Sequence, residues 1–162
     1  MDSGSLITGG IILLILIIPF IFLGSSVKKR KKKILSALEG LAQKNNCNIT
    51  KYDVWNDTAI GMDETVKAIF FYKKIKMNEI FIPIMPDQFQ KSRVANSSRV
   101  IQNEAGNYTV IDRLELVLTP REKGVPETIL EFFNAGSDFS SLSEELELSS
   151  TWNETINNCI RK

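Results

Sequence analysis

The 162 residues contain no histidine, so Ser/His and Cys/His catalytic pairs, histidine metal ligands and imidazole pH switching are all absent. The chemistry that remains is carried by carboxylates, two thiols, arginines and aromatic rings. Two adjacent carboxylate pairs occur, Asp63-Glu64 and Glu144-Glu145. Neighbouring residues on a strand or helix point in different directions, so neither pair brackets a bond. The first reads as turn chemistry and the second as negative charge at a helix N-terminus. Cys47 and Cys159 are too few for a disulfide framework or a four-thiolate zinc site. Without a histidine neither thiol has an evident base, although Arg161 and Lys162 follow Cys159, and the expected role for both is that of a small buried hydrophobe. Phe70, Phe71, Tyr72, Phe132 and Phe133 resemble a base-stacking set in composition, but such platforms lie in cationic grooves. No dinucleotide, P-loop, zinc-protease, EF-hand or nucleophile-elbow motif is present. The expectation is no catalytic residue, no metal ligand and no cofactor.

The elements around these residues are set by a segregation of charge that the net value of +1 conceals. Residues 3–27 carry no charge, and Lys28, Lys29, Arg30, Lys31, Lys32 and Lys33 then form an unbroken cationic run. Residues 34–162 hold 14 basic and 18 acidic side chains, which argues against a nucleic-acid partner. From Leu6 to Leu23 only Thr8, Gly9, Gly10 and Pro19 interrupt an apolar stretch. As a helix it would span ~27 Å, enough for a bilayer core. The pattern predicts a single transmembrane segment in residues 1–27, spanning about 6–23. A cleaved signal peptide would need an early cation and a small-residue cleavage site; Asp2 is the sole early charge.

The six cations then set orientation. They place the N-terminus outside and the remainder in the cytoplasm, a single-pass cell-membrane topology. Lys28, Lys29, Arg30, Lys31, Lys32 and Lys33 are the expected membrane-surface contacts, resting against anionic headgroups of the lipid bilayer. In the cytosol the Asn-X-Ser/Thr patterns at Asn48, Asn56, Asn96, Asn107 and Asn153 would be silent.

Residues 28–46 form the basic collar and a short juxtamembrane helix, with Ile34, Leu35, Leu38, Leu41 and Ala42 at helical spacing and Asn45-Asn46 as its stop. Strand-like stretches follow over 49–52, 55–62, 67–72 and 79–85, with Ile80, Ile82 and Ile84 sharing a face and Pro83 marking an edge. Residues 88–98 are polar and read as a loop, 99–102 as a short strand, 111–119 as the cleanest strand, and 128–133 as its return. Ser141 and Glu144 fit a capping box. The helix after them carries Leu142, Leu146, Leu148, Trp152, Ile156, Cys159 and Ile160 on one stripe, and Trp152 is the expected plug of an open sheet.

The stretches Thr58-Ala59-Ile60-Gly61-Met62-Asp63-Glu64 and Asp112-Arg113-Leu114-Glu115-Leu116, with the tail around Trp152, make the chain resemble a pleckstrin-homology-like domain, in particular the membrane-anchored bacterial versions. The resemblance spans residues 49–160 within a domain of 47–162. It implies an α+β fold, with an N-terminal transmembrane helix, then a small antiparallel β-sheet or barrel closed by a C-terminal amphipathic helix. Phosphoinositide-binding members carry several basic residues on the first hairpin; here Asp57, Asp63 and Glu64 occupy that region. The expected function is a membrane-tethered, non-enzymatic binding or scaffold module that presents this domain to a protein partner. The strand containing Pro83 and residues 87–98 are its candidate docking elements. The alternative is an accessory subunit or small enzyme of the membrane surface, marked by a pocket joining Arg93, Arg99 or Arg113 to an acidic residue.

Overall fold

The computed structural model describes residues 27–103, 106–138 and 142–161. Residues 27–44 form helix α1. Its stop is a left-handed Asn46 (φ 56°), with the Cys47 amide returning to the Ala42 carbonyl at 3.1 Å. Seven antiparallel strands follow: β1 (Lys51–Trp55), β2 (Thr58–Asp63), β3 (Ala68–Ile75), β4 (Asn78–Ile84), β5 (Phe89–Asn103), β6 (Gly106–Pro120) and β7 (Thr128–Asn134). They form a four-stranded sheet, β1-β2-β3-β4, and a three-stranded sheet, β5-β6-β7. Helix α2 (Leu142–Ile160) ends the fold.

The expected membrane-spanning helix over residues 6–23 lies outside the described residues. Among the described residues no helix is long and apolar enough to cross a membrane. Helix α1 carries Lys28 to Lys33, Glu39 and Lys44, and α2 carries Glu144, Glu145, Glu147 and Glu154. The fold is therefore corrected to α+β with two antiparallel sheets and two described helices. The single-pass cell-membrane placement, with an outside N-terminus and cytoplasmic C-terminal domain, rested on that helix and is corrected with it.

The two sheets face each other across a core of Trp55, Ile60, Met62, Ile69, Phe71 and Ile84 from the first, and Leu114, Leu116, Leu118, Leu130 and Phe132 from the second, with Trp152 and Ile156 from α2. Trp55 stacks on Phe132 with ring centroids 4.8 Å apart and donates Nε1–H to the Phe132 carbonyl at 3.0 Å. A second cluster lies on the outer face of the first sheet, where Ile34, Leu38 and Ala42 of α1 cover Ala59, Ala68, Phe70 and Tyr72. This cover explains why Ala68-Ile69-Phe70-Phe71-Tyr72 is continuously apolar: β2 and this part of β3 are buried on both faces.

Gly61 allows the helix to come this close. A Cβ there would meet Ile49 Cγ2 at 2.8 Å, Leu38 Cδ2 at 3.0 Å and the Lys51 carbonyl at 3.3 Å. Gly61→Val is expected to cost about 1–3 kcal/mol through overpacking and to loosen α1 first. Faster amide exchange across 34–42 with the core little changed is the measurement that checks it.

Strand β5 is a second correction. Residues 88–98 are not a loop; apart from Gln88 they belong to one long strand with 99–103. They read as loop because no β5 side chain between Arg93 and Gln102 is buried, and apolar alternation marks only strands with a covered face.

Candidate functional site

Helix α2 spans the seam between two sheet edges, β1 and β5, and it does so with polar groups. On the β1 side, Trp152 Nε1–H donates to Asp53 Oδ2 at 2.8 Å, Lys51 Nζ sits 5.3 Å above the Trp152 ring and Asn56 Nδ2 donates to Glu145 Oε1 at 2.9 Å. The buried face of α2 is therefore Glu145, Ser149, Trp152, Ile156 and Ile160. It is rotated from the expected stripe, so that Leu146 is exposed. Glu144 and Glu145 both lie in the first turn of α2, as expected, but Glu145 is a buried anchor and not on a solvated face; Ser141, which with Glu144 makes the expected capping box, lies outside the described residues.

On the β5 side, Asn157 acts like a short stretch of added strand. Its Oδ1 accepts the Ser92 amide at 2.9 Å and its Nδ2 donates to the Ser92 carbonyl at 2.9 Å, while Asn153 Oδ1 takes the Ser92 hydroxyl at 2.5 Å. Ser92 thus turns its backbone groups away from β6. The β5–β6 register slips by one residue at Ser97/Ser98, where the extra residue, Asp112, is on β6, so the two-residue alternation of β5 itself carries through and Val94, Asn96, Ser98, Val100 and Gln102 turn theirs the same way. Among the described residues no strand pairs with that edge.

Above Ser97 the β5–β6 hairpin leaves the body of the fold. Strand β7 pairs with β6 only from Arg113 to Leu118, so among the described residues Gly106 to Ile111 have β5 as their sole strand neighbour over about 20 Å. Ala135 closes the branch point by donating its amide to the Asp112 carbonyl. The ribbon carries apolar side chains in water, with Val100 62% and Tyr108 47% exposed. Of the arginines singled out in the sequence, Arg99 lies on this ribbon and Arg93 and Arg113 on the three-stranded part below it, all on the outer surface. Arg93 pairs with Glu127 at 3.0 Å and Arg99 with Asp112 at 3.1 Å, all four side chains being at least a third exposed; Arg113 is exposed too.

The cationic run is divided. Lys28, Lys29, Lys31, Lys32 and Lys33 are exposed on the first described turns of α1. Arg30 instead forms a two-pronged ion pair with Asp57 in the β1–β2 turn. That pair borders a hollow of about 360 Å³, also lined by Lys73, Lys74, Lys76 and Asp138, in which Lys73 is bound to Glu131 at 3.0 Å and Asp138 at 3.4 Å. Nearby, burial and then the hydrogen bond to Glu79 push the Tyr72 phenol up to about 12, so it stays a donor at neutral pH. Among the described residues no three acidic or thiol groups converge to hold a metal ion. Cys47 and Cys159 are free thiols; burial, and then the charge of Asp63, push the Cys47 thiol up, away from nucleophilic thiolate.

Asp63 caps the β2–β3 turn by accepting amides from Asn48 at 2.7 Å, Thr65 at 2.9 Å and Val66 at 3.4 Å. The Asn48 amide contributes most and, with Thr65 and Val66, holds the carboxyl below the usual range against an opposing effect of burial. Because the folded value lies below the unfolded one of about 4, the stabilisation is complete above pH ~4 and disappears as pH falls through the folded value. Asp63→Asn should therefore melt below the wild type at pH 7, with the gap closing towards pH 2. Thermal melts across that range check the sign.

Compared with known proteins, the chain matches no family model, no curated protein and no solved structure.

Proposed function

We propose that this chain is a non-enzymatic binding module of pleckstrin-homology-like architecture, and that it docks a protein partner on the β5–β6 ribbon. The architecture is supported by the order of its parts: seven antiparallel strands in two sheets, then one helix carrying a central buried tryptophan. The docking role is carried by one observation. The groups that satisfy the β5 edge at Ser92 come from Asn153 and Asn157 of α2, and above them the same edge runs on past exposed Val100 with no strand paired to it among the described residues, while exposed Tyr108 lies on the adjoining β6. Edges left in this state are templates for another chain, and proteins ordinarily blunt them with lysine, proline or a cover.

The other expected docking element, β4, carries such a device in Pro83. The enzyme alternative required a pocket joining Arg93, Arg99 or Arg113 to a carboxylate, whereas these side chains face solvent.

A photoreactive benzoylphenylalanine placed at Val100 or Tyr108 of the full chain in its native cell tests the reading. Position Met77, which is 94% exposed on the β3–β4 turn, serves as reference. Discrete higher-mass adducts from 100 and 108 but not from 77 are expected. Equal labelling from all three, or none from the ribbon, contradicts the proposal.

A further inference from the structure

The occupant of the β5 edge can be specified, on the footing that the ribbon is the docking element. We infer that it is an extended segment of alternating acidic and apolar residues, added as a strand beside Val94–Gln102.

The lower limit is set by Asn157 and Asn153, which already occupy the edge at Ser92. The chemistry on the two faces is set by alternation. Ser92 is buried against α2, so Val94, Asn96, Ser98, Val100 and Gln102 share its face, and a strand laid beside them meets two valines. The opposite face presents Arg93, Ala95, Ser97, Arg99 and Ile101, with Lys91 just below.

Strand β5 contains three cations and no acidic residue, although residues 34–162 as a whole carry an acidic excess. Asp112 and Glu127 neutralise Arg99 and Arg93 only from the β6 and β7 side, and exposed pairs of this kind hold weakly. Carboxylates arriving from the open side can therefore share both guanidinium groups. A second copy of this chain would instead bring three cations on one β5 against three on the other, and like charges across a strand pair are unfavourable. Charge complementarity thus selects an acidic partner strand over self-association.

The test uses the full chain and two labelled ten-residue peptides, one alternating Glu and Val and the other alternating Lys and Val, read by fluorescence anisotropy. The Glu peptide is expected to bind saturably, at least tenfold more tightly than the Lys peptide. Ser98→Pro removes an edge-facing amide beside the register slip at Ser97/Ser98 and should weaken binding tenfold or more. The surface pair Arg93→Gln with Arg99→Gln, which leaves the backbone alone, should do the same and flatten the salt dependence. Equal binding of both peptides, each weakened by Ser98→Pro, overturns the acidic assignment while the docking role survives. Absence of binding by either peptide overturns the assignment, and the cross-linking result then judges the docking role separately. Concentration-dependent dimers in sedimentation that Ser98→Pro abolishes overturn it in favour of a second copy.

Discussion

Replacing Trp152 by alanine should destabilise the fold by about 3–5 kcal/mol, the range for removing a fully buried large aromatic. The indole has no exposed surface, and its Nε1–H is bonded to Asp53 at 2.8 Å. Truncation therefore opens a cavity and also strips a carboxylate on the β1 edge of its donor. Trp152→Phe separates the two effects. It retains most of the apolar volume and loses the hydrogen bond, so its expected cost is smaller, about 1–3 kcal/mol. Urea unfolding of both variants measures the pair. A loss below 1 kcal/mol for the alanine variant would mean that α2 does not close the seam between the sheets.

Lys73→Ala is the second large effect, expected at about 3–5 kcal/mol. The Lys73 side chain is 3% exposed, and its ammonium is the cation between Glu131 on β7 and Asp138 on the turn after it. It points from the inner face of one sheet to the margin of the other, so the three groups tie the sheets together at the end opposite the β2–β3 turn. Removing the lysine leaves two carboxylates close together and partly shielded from water. The combination Lys73→Met with Glu131→Gln and Asp138→Asn should recover most of the loss, because an apolar and neutral replacement relieves what a single deletion creates. Equilibrium unfolding at pH 7 distinguishes the two variants. Equal stability for Lys73→Ala and the wild type would contradict an electrostatic tie.

Much of the sheet was legible in the sequence, and the reasons are local. Leu114, Leu116 and Leu118 alternate because β6 has one covered face, and the second helix announces itself through Trp152, Ile156 and Ile160. Asn45-Asn46 and Asp63-Glu64 mark their turns by backbone preference alone. The failures are tertiary. Nothing in residues 34–42 says that they lie on β2 and β3; the trace is Gly61, which has no side chain where Leu38 and Ile49 approach. Lys73 falls just past the strand read over 67–72, and nothing marks it as buried until Glu131 and Asp138 supply its partners. Strand β5 reads as loop because a projecting ribbon has no covered face to impose an apolar alternation. Asn153 and Asn157 are one turn apart beside the apolar stripe, a signal that α2 could serve a backbone edge, but only the fold identifies Ser92 as that edge.

The claim on which the function rests is that β5 is satisfied at Ser92 and open above it. Native-state amide exchange of the full chain, resolved residue by residue along β5, tests this directly. The account predicts slow exchange at Ser92, fast exchange at Val94, Asn96, Ser98 and Val100, and slower exchange at the intervening Arg93, Ala95, Ser97 and Arg99, whose amides face β6. Uniform protection along the strand, or a Ser92 amide that exchanges as fast as Val94, would contradict it.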